Sequence, residues 1–335
     1  MKKLFTLLAL TISFSINAQI SEHSTNNSGV HSSAIGSETT ASGQSATAMG
    51  QHSSASGMWS TAMGYDTTAS GNGSTATGGT SIASGDYSTA MGYQVTASSV
   101  KSTAMGGSTT ASGQASTAMG SNTIAQGNKS TAMGEGTYST GRTSTAMGYY
   151  TTASGKYSTA MGSATTASDY ASVVIGQFNS SGHTATSLDL FSTSAPAFVI
   201  GNGTAINSLS DAFKVMFNGD TTVGNDLTVS GDVVISSDAR LKSNIVSLGS
   251  TLPKLLQIDG KSYEMKGKQK IGVLAQEIQE VFPELVSEDD NEMLAVNYQG
   301  LVPVLINALK EQDKIIKRQE ERLTNIENQL ANLNE

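Results

Sequence analysis

Hydrophobic and small polar residues alternate with a fixed period through the first half of the chain. Glycine recurs every 14 residues from Gly36 to Gly176, without an insertion or a deletion. Ser-Thr-Ala-Met stands before most of these glycines, and Thr-Thr-Ala-Ser-Gly often follows half a period later. Self-similarity at a fixed short period is typical of a repeat architecture, in which each unit stacks on its neighbours.

The 14-residue unit is too short for two helices, and its Thr, Ser and Gly disfavour helix. Two short strands, each closed by a glycine turn, fit one coil of a β-solenoid. Alternation along a strand places Thr61 and Met63 on one face and Ala62 on the other. We expect the small Ala and Ser side chains to let neighbouring strands approach closely. We expect Met or Ile to supply most of the apolar volume of the core. The period therefore predicts a parallel β-roll over residues 33–176, within a mainly β chain.

One such coil buries little apolar area, so we expect three chains to share a central seam. Methionines at equivalent positions would form it, namely Met63, Met91, Met105, Met119 and their counterparts. The units resemble the head repeats of YadA-like trimeric adhesins, which read approximately Ser-Val-Ala-Ile-Gly; here Thr replaces Val and Met replaces Ile. The resemblance implies a left-handed parallel β-roll, a homotrimer and an adhesin-like head, whose surface ligand the repeats do not identify.

Other functions of the repeats are less consistent with the sequence. A calcium-binding roll needs Asp at fixed positions, where Asp is nearly absent, and an ice-binding surface needs a Thr face that Met interrupts. The four histidines, His23, His31, His52 and His183, lack metal-ligand spacing. We therefore expect neither a metal nor a cofactor.

Residues 177–235 combine short apolar runs with turn signals. Runs at 197–203, 212–220 and 226–235 are rich in β-branched and aromatic residues and are separated by Asn-Gly or Ser-Gly. They predict strands of a β-rich neck. Such strands resemble the shaft ends of phage tail fibres, in which three chains supply one core.

The N-terminus and the charge indicate an exported protein. Lys2 and Lys3 precede an apolar run that ends near Ala18, which predicts a signal peptide over residues 1–18 and a linker over 19–32. No other segment could span a membrane as a helix. The net charge of −8 gives no basic surface for nucleic acid, and the absence of cysteine excludes disulfides and thiol catalysis. We expect a cell-surface, outer-membrane-associated or extracellular location.

Charge density rises sharply near residue 236. Residues 19–236 hold 16 charged side chains, whereas the much shorter segment 237–335 holds 28. Pro253 predicts the start of a short helix, residues 261–265 a strand, and the spacing of Leu274, Ile278 and Phe282 an amphipathic helix. We therefore place a small α/β domain at residues 236–300.

The C-terminal residues 301–335 predict a long helix with a heptad seam. Apolar or Gln residues alternate in steps of four and three, which is typical of a coiled coil, at Leu305, Leu309, Gln312, Ile316, Gln319, Leu323, Ile326, Leu330 and Leu333. With the repeats upstream, a parallel trimer is the consistent choice.

The C-terminal domain carries four motifs in order: residues 237–245, 271–277, 282–286, and Tyr298 with 301–303. Together they resemble the intramolecular chaperone of phage endosialidase tail spikes, which also occurs in bacterial tail-fibre-like proteins. The resemblance implies a domain that trimerises the chain, assists folding of the β-fibre, and then cleaves itself off as a serine peptidase.

A Ser/Lys dyad is the chemistry that this resemblance implies, with Ser237 and Lys242 at the family spacing of five residues. Serine needs a base to take its proton, and lysine serves as that base when burial favours the neutral amine. Asn244, Gln276 and Glu277 are candidates for positioning or for binding an oxyanion. Lys270 stands where the family often has His or Arg, which leaves that auxiliary role open.

Two bonds flank the nucleophile. Ser237 Oγ can reach the carbonyl of Ser236 through a five-membered ring, which would break the Ser236–Ser237 bond. Breaking Ser237–Asp238 would need another activated group or a neighbouring chain. Two other functions stay open: a structural fibre whose C-terminal domain is an uncleaved trimerisation clamp, and a peptidase that acts on other proteins.

Overall fold

The computed structural model describes residues 24–289 and 292–333 and divides the chain into two compact units, Met1–Ser230 and Gly231–Glu335. The predicted signal peptide, residues 1–18, lies outside the described residues. Within the described ranges, no helix is long and apolar enough to cross a membrane.

The first unit is a parallel β-solenoid in which each coil holds a long and a short strand. Residues one period apart pair in register, as Thr103 with Thr117 and Met105 with Met119, which confirms the predicted β-roll. The long strands are Ser33–Ser37, Thr47–Gln51, Thr61–Tyr65, Thr75–Gly79, Thr89–Tyr93, Thr103–Gly107, Thr117–Ser121, Thr131–Glu135, Thr145–Tyr149, Thr159–Ser163 and Val173–Gln177. The short strands are Thr40–Ala41, Ser54–Ala55, Thr68–Ala69, Ile82–Ala83, Thr96–Ala97, Thr110–Ala111, Ile124–Ala125, Tyr138–Ser139, Thr152–Ala153 and Thr166–Ala167.

Alanine, not methionine, fills the interior of the coils. Ala62, Ala104 and Ala118 have no exposed surface, whereas the flanking Thr61 and Met63 are half-buried on the outer face of their strand. The predicted alternation therefore holds, but the expectation that Met supplies most of the core volume is wrong within one chain. A 14-residue coil brings its two strands too close together for a side chain larger than Ala, Ser or Thr at most interior positions.

Left-handed backbone turns recur every seven residues and bend the chain twice per coil. Residues such as Trp59, Asp66, Thr80 and Tyr87 have φ between 50° and 59°. The glycines of the 14-residue series have φ from 93° to 134°, a region that residues with a Cβ rarely adopt. The repeat therefore needs glycine at that position for conformational reasons.

The connector extends the long-strand sheet beyond the last coil. Pro196–Asn202 pairs in parallel with Val173–Gln177, and Asp211–Met216 and Thr221–Val223 then add antiparallel strands. The first two strands match the predictions at 197–203 and 212–220. The predicted strand at 226–235 is wrong for the single chain, because this segment forms no strand there.

The second unit is a small α/β domain. Its helices are α1 (Leu252–Leu255), α2 (Ala275–Val281) and α3 (Leu301–Leu333), with 3₁₀ turns at Ala239–Leu241 and Pro283–Leu285. Two antiparallel hairpins join Lys261–Met265 to Lys268–Gly272 and Val286–Glu288 to Leu294–Val296. The strand Lys261–Met265 agrees with the predicted strand at 261–265, and α3 agrees with the predicted long C-terminal helix.

The core of this unit forms where α2 and α3 meet. Ile278 is fully buried, and Val281, Phe282 and Val304 are nearly so. Helix α2 ends at Val281, because Pro283 disfavours helical backbone at the preceding residue, Phe282. Most of α3 beyond this core is exposed in the single chain.

Candidate functional site

Ser237 and Lys242 lie in direct contact. Lys242 Nζ donates a hydrogen bond of 2.7 Å to Ser237 Oγ. The 3₁₀ turn Ala239–Leu241 produces this contact, because it reverses the chain between the two side chains. Two backbone hydrogen bonds close the turn, from Leu241 N–H to the Asp238 carbonyl and from Lys242 N–H to the Ala239 carbonyl, each 3.1 Å long.

Asp238 and Arg240 stabilise this turn. Asp238 Oδ1 accepts the backbone N–H of Arg240 at 2.8 Å and so caps the 3₁₀ turn. The Asp238 carboxylate also accepts hydrogen bonds from the Arg240 guanidinium, through Nε and, at 2.7 Å, through Nη2. The side-chain bonds to Arg240, followed by the backbone bond, hold the pKa of Asp238 below its usual value. The motif residues between Ser237 and Lys242 thus set the geometry of the pair.

A groove of about 740 Å³ contains Ser237. Val233 and Ile235 line it from the chain before Ser237, and Asn297 and Gln299 line it from the turn before α3. Gly300, Val302 and Pro303 complete the lining. The groove is open and has a mixed polar and apolar wall, so it could hold an extended stretch of chain beside the Ser237 hydroxyl.

The other predicted residues lie in different surroundings. Asn244 follows the 3₁₀ turn with a left-handed φ of 53°. Gln276 lines a separate cavity of about 330 Å³ with Tyr263, Val273 and Tyr298. The structure therefore brings Ser237 and Lys242 together, but places Gln276 apart from them in the single chain.

Glu277 contacts the first hairpin of the second unit, and Lys270 lies in one of its strands. Glu277 forms an ion pair of 3.2 Å with Lys261, which also pairs with Asp259 at 3.0 Å. Hydrogen bonds to Asp259 and then to Glu277 raise the pKa of Lys261. Lys270 pairs with Tyr263 across the antiparallel strands.

Sequence reasoning missed the polar side chains on the opposite wall of the groove. Asn297 and Gln299 are separated from Ser237 by about sixty residues of chain, so no local spacing connects them. The available signal was the Asn-x-x-Gly turn directly before a predicted helix, since asparagine in such a turn hydrogen-bonds to nearby backbone.

The solenoid presents a mainly apolar row of side chains on the outer face of its long strands. One residue of each long strand points outward in register, and we call this set the methionine row: Ile35, Met49, Met63, Thr77, Met91, Met105, Met119, Met133, Met147, Met161 and Ile175. Its methionines are half-buried or more exposed, and Met91 is 38% exposed. The row gives the single chain a half-exposed, mainly apolar stripe along the roll, which Thr77 interrupts.

Two known families match this chain, one in each of its two units. The YadA head domain repeat matches seven segments, 28–53, 41–67, 55–81, 69–94, 97–123, 125–151 and 153–179. The family described as chaperone of endosialidase matches residues 237–287, which begin at Ser237. No curated protein gives a significant match to the chain. The chain thus contains a series of segments that match the YadA head repeat, followed by a segment that matches the endosialidase chaperone family.

Proposed function

We propose that this chain is an exported, homotrimeric, adhesin-like fibre whose C-terminal unit assembles the trimer and then cleaves the chain beside Ser237. The observation that carries the proposal is the 2.7 Å contact between Lys242 Nζ and Ser237 Oγ, inside a segment that matches the endosialidase chaperone. The head repeats support an adhesin-like surface protein. The head ligand would be a molecule on a host, a matrix or a neighbouring cell.

The contact supports an intramolecular acyl transfer. A neutral Lys242 amine would take the Ser237 hydroxyl proton while Oγ attacks the Ser236 carbonyl carbon through a five-membered ring. The C–N bond of the Ser236–Ser237 peptide would then break, and the proton would pass to the new amine of Ser237. Water would hydrolyse the resulting ester and release two chains. Cleavage of Ser237–Asp238 remains the alternative and would require a different attacking group.

Assembly would control this reaction. Ser237 and Lys242 are both exposed in the single chain, and Lys242 acts there as the hydrogen-bond donor. A solvated ammonium has no lone pair with which to accept a proton, whereas burial favours the neutral amine. Covering the groove with neighbouring chains would therefore activate the pair after trimerisation, so that the cut follows folding.

Two exposed apolar surfaces support the trimer. The methionine row runs along the roll, and Val302, Leu305, Ile306 and Leu309 form an exposed patch at the start of α3. Exposed apolar residues that cluster in this way are typical of an interface. The heptad spacing of α3 fits a parallel coiled coil, which would place its seam residues against those of two partners.

Intact-mass measurement on the expressed full chain and its Ser237→Ala variant tests the cleavage. We expect the wild type to split near residue 237 and the variant to remain whole, and the fragment masses identify the bond. Light scattering on both proteins tests the trimer. A wild type that stays whole as a folded trimer would refute self-cleavage.

An uncleaved trimerisation clamp is the second candidate function. The same exposed surfaces of α3 favour it, because they need partners whether or not the chain is cut. It predicts a stable trimer of whole chains in both proteins.

A further inference from the structure

Asn297 occupies a fixed position on the wall of the groove opposite the Ser237 segment. Its backbone N–H donates to the Leu285 carbonyl at 2.8 Å, and its own carbonyl accepts the N–H of Gly300 at 3.1 Å. Its side-chain Oδ1 also accepts the Gly300 N–H, at 3.0 Å. These bonds hold both the backbone and the amide plane of Asn297 at the turn that leads into α3.

The orientation of the amide leaves its donor group available. Oδ1 is engaged by the Gly300 N–H, and Nδ2 also lies beside Gly300, 3.3 Å from where a Cβ on that glycine would stand. Among the described residues, Nδ2 has no hydrogen-bond partner. Asn297 is exposed and lines the same groove as Ser237. An amide donor held in the groove of a nucleophile can stabilise a developing oxyanion that comes within its reach.

We propose that Asn297 Nδ2 donates a hydrogen bond to the oxyanion that forms when Ser237 Oγ attacks, so that Asn297 is a catalytic residue of the self-cleavage. The inference rests on the proposed function. It concerns a residue outside the segment 237–287 that matches the chaperone family.

The donor acts in one step and is not consumed. As the bond from Oγ to the carbonyl carbon forms, the carbonyl oxygen gains the electron pair of the C–O π bond, and the serine proton passes to the Lys242 amine. Nδ2 stabilises the negative oxygen in this intermediate. When the C–N bond breaks, the carbonyl re-forms, the proton goes to the departing amine, and water later completes hydrolysis of the ester.

The experiment compares cleavage rates of the full chain as wild type, Asn297→Ala, Asn297→Asp and Asn328→Ala, followed by intact mass over time. Asn328 is an exposed asparagine of α3 that lies outside the lining of the groove and outside the heptad seam. Asn297→Asp distinguishes the two roles of the side chain, because its carboxylate can still accept the Gly300 N–H but has no N–H group to donate. We expect both Asn297 variants to cleave about 10²–10³-fold more slowly, which is the usual effect of removing one oxyanion donor. Asn328→Ala should cleave at nearly the wild-type rate.

The outcomes separate a catalytic role from a structural one. A purely structural Asn297 would leave Asn297→Asp near the wild-type rate, and that result would overturn the inference. A wild-type rate in Asn297→Ala, or an equal loss in Asn328→Ala, would also overturn it. Light scattering and circular dichroism should show all variants as folded trimers. If the wild type itself stays whole, the proposed self-cleavage fails, which is distinct from failure at Asn297 alone.

Discussion

Lys242 Nζ donates a hydrogen bond of 2.7 Å to Ser237 Oγ across a single 3₁₀ turn. The Lys242→Arg variant should therefore distinguish the hydrogen bond to Ser237 from the transfer of the Ser237 proton to residue 242. Arginine can still donate to Ser237, but it keeps its proton at any pH at which proteins fold and so cannot act as a base. We expect cleavage to stop while trimer assembly continues, as measured by intact mass and light scattering.

Lys314→Arg on α3 is the matched control and should leave the cleavage rate unchanged. A Lys242→Arg protein that cleaves as fast as the wild type would show that Lys242 is not the base.

Two adjacent glycines in one long strand give a test of the solenoid backbone. Gly106 has φ of 117°, and a Cβ there would lie 2.0 Å from the carbonyl oxygen of Gly120 in the next coil. A Cβ on Gly107 would meet nothing within 4 Å. Gly106→Ala should destabilise the roll by about 1–3 kcal/mol or more, whereas Gly107→Ala should be nearly neutral. Thermal unfolding of both variants measures the difference; equal midpoints would contradict it.

The interior also contains hydroxyl groups that lack partners. Thr109 is fully buried and its Oγ1 has no hydrogen-bond partner within the described residues, while Val95 fills the equivalent position one coil earlier. Thr109→Val should therefore stabilise the roll by about 1 kcal/mol, because it removes a buried unsatisfied hydroxyl without changing the side-chain volume much.

Thr67→Val is the control for this change, since the Thr67 hydroxyl donates to Ser53 Oγ at 2.9 Å. We expect it to be neutral or destabilising. Urea unfolding compares the two variants, and a loss of stability in Thr109→Val would show that its hydroxyl binds a partner such as water.

Glu311 joins α3 to the start of α1. Its carboxylate accepts hydrogen bonds from Thr251 N–H at 2.5 Å and from Ser250 Oγ at 2.7 Å. The backbone bond from Thr251, followed by the Ser250 bond, lowers the pKa of Glu311. Because the folded state favours the ionised form, Glu311 contributes stability above its ordinary pKa of 4.5 and loses it as pH falls through the lower pKa of the folded state.

Glu311→Gln should therefore lower the thermal midpoint of the helical unit at neutral pH, and its difference from wild type should shrink in the acid range below about pH 4. Far-ultraviolet circular dichroism follows this transition. Glu327→Gln, farther along α3, is the control and should change neither midpoint nor pH profile. A Glu311→Gln deficit that persists unchanged at low pH would contradict the assignment.

Much of this architecture was predictable because the determining interactions are local. The unbroken 14-residue spacing from Gly36 to Gly176 fixes the coil length, and a glycine is required where the backbone adopts a positive φ. The contact between Ser237 and Lys242 is local too, since Asp238 and Arg240 stabilise the turn between them. The predicted strand at 226–235 failed because apolar alternation does not supply the neighbouring strand that pairing requires.

By itself, the sequence determined the period of the roll, the alternation of its strands, the boundary near residue 236 and the Ser237–Lys242 pair, because each depends on residues close together in the chain. The tertiary structure decided which face is the interior: closely spaced backbones leave room for Ala62 and turn Met63 outward. It also decided that Asn297 shares a groove with Ser237, because only the packing of α3 brings these distant residues together.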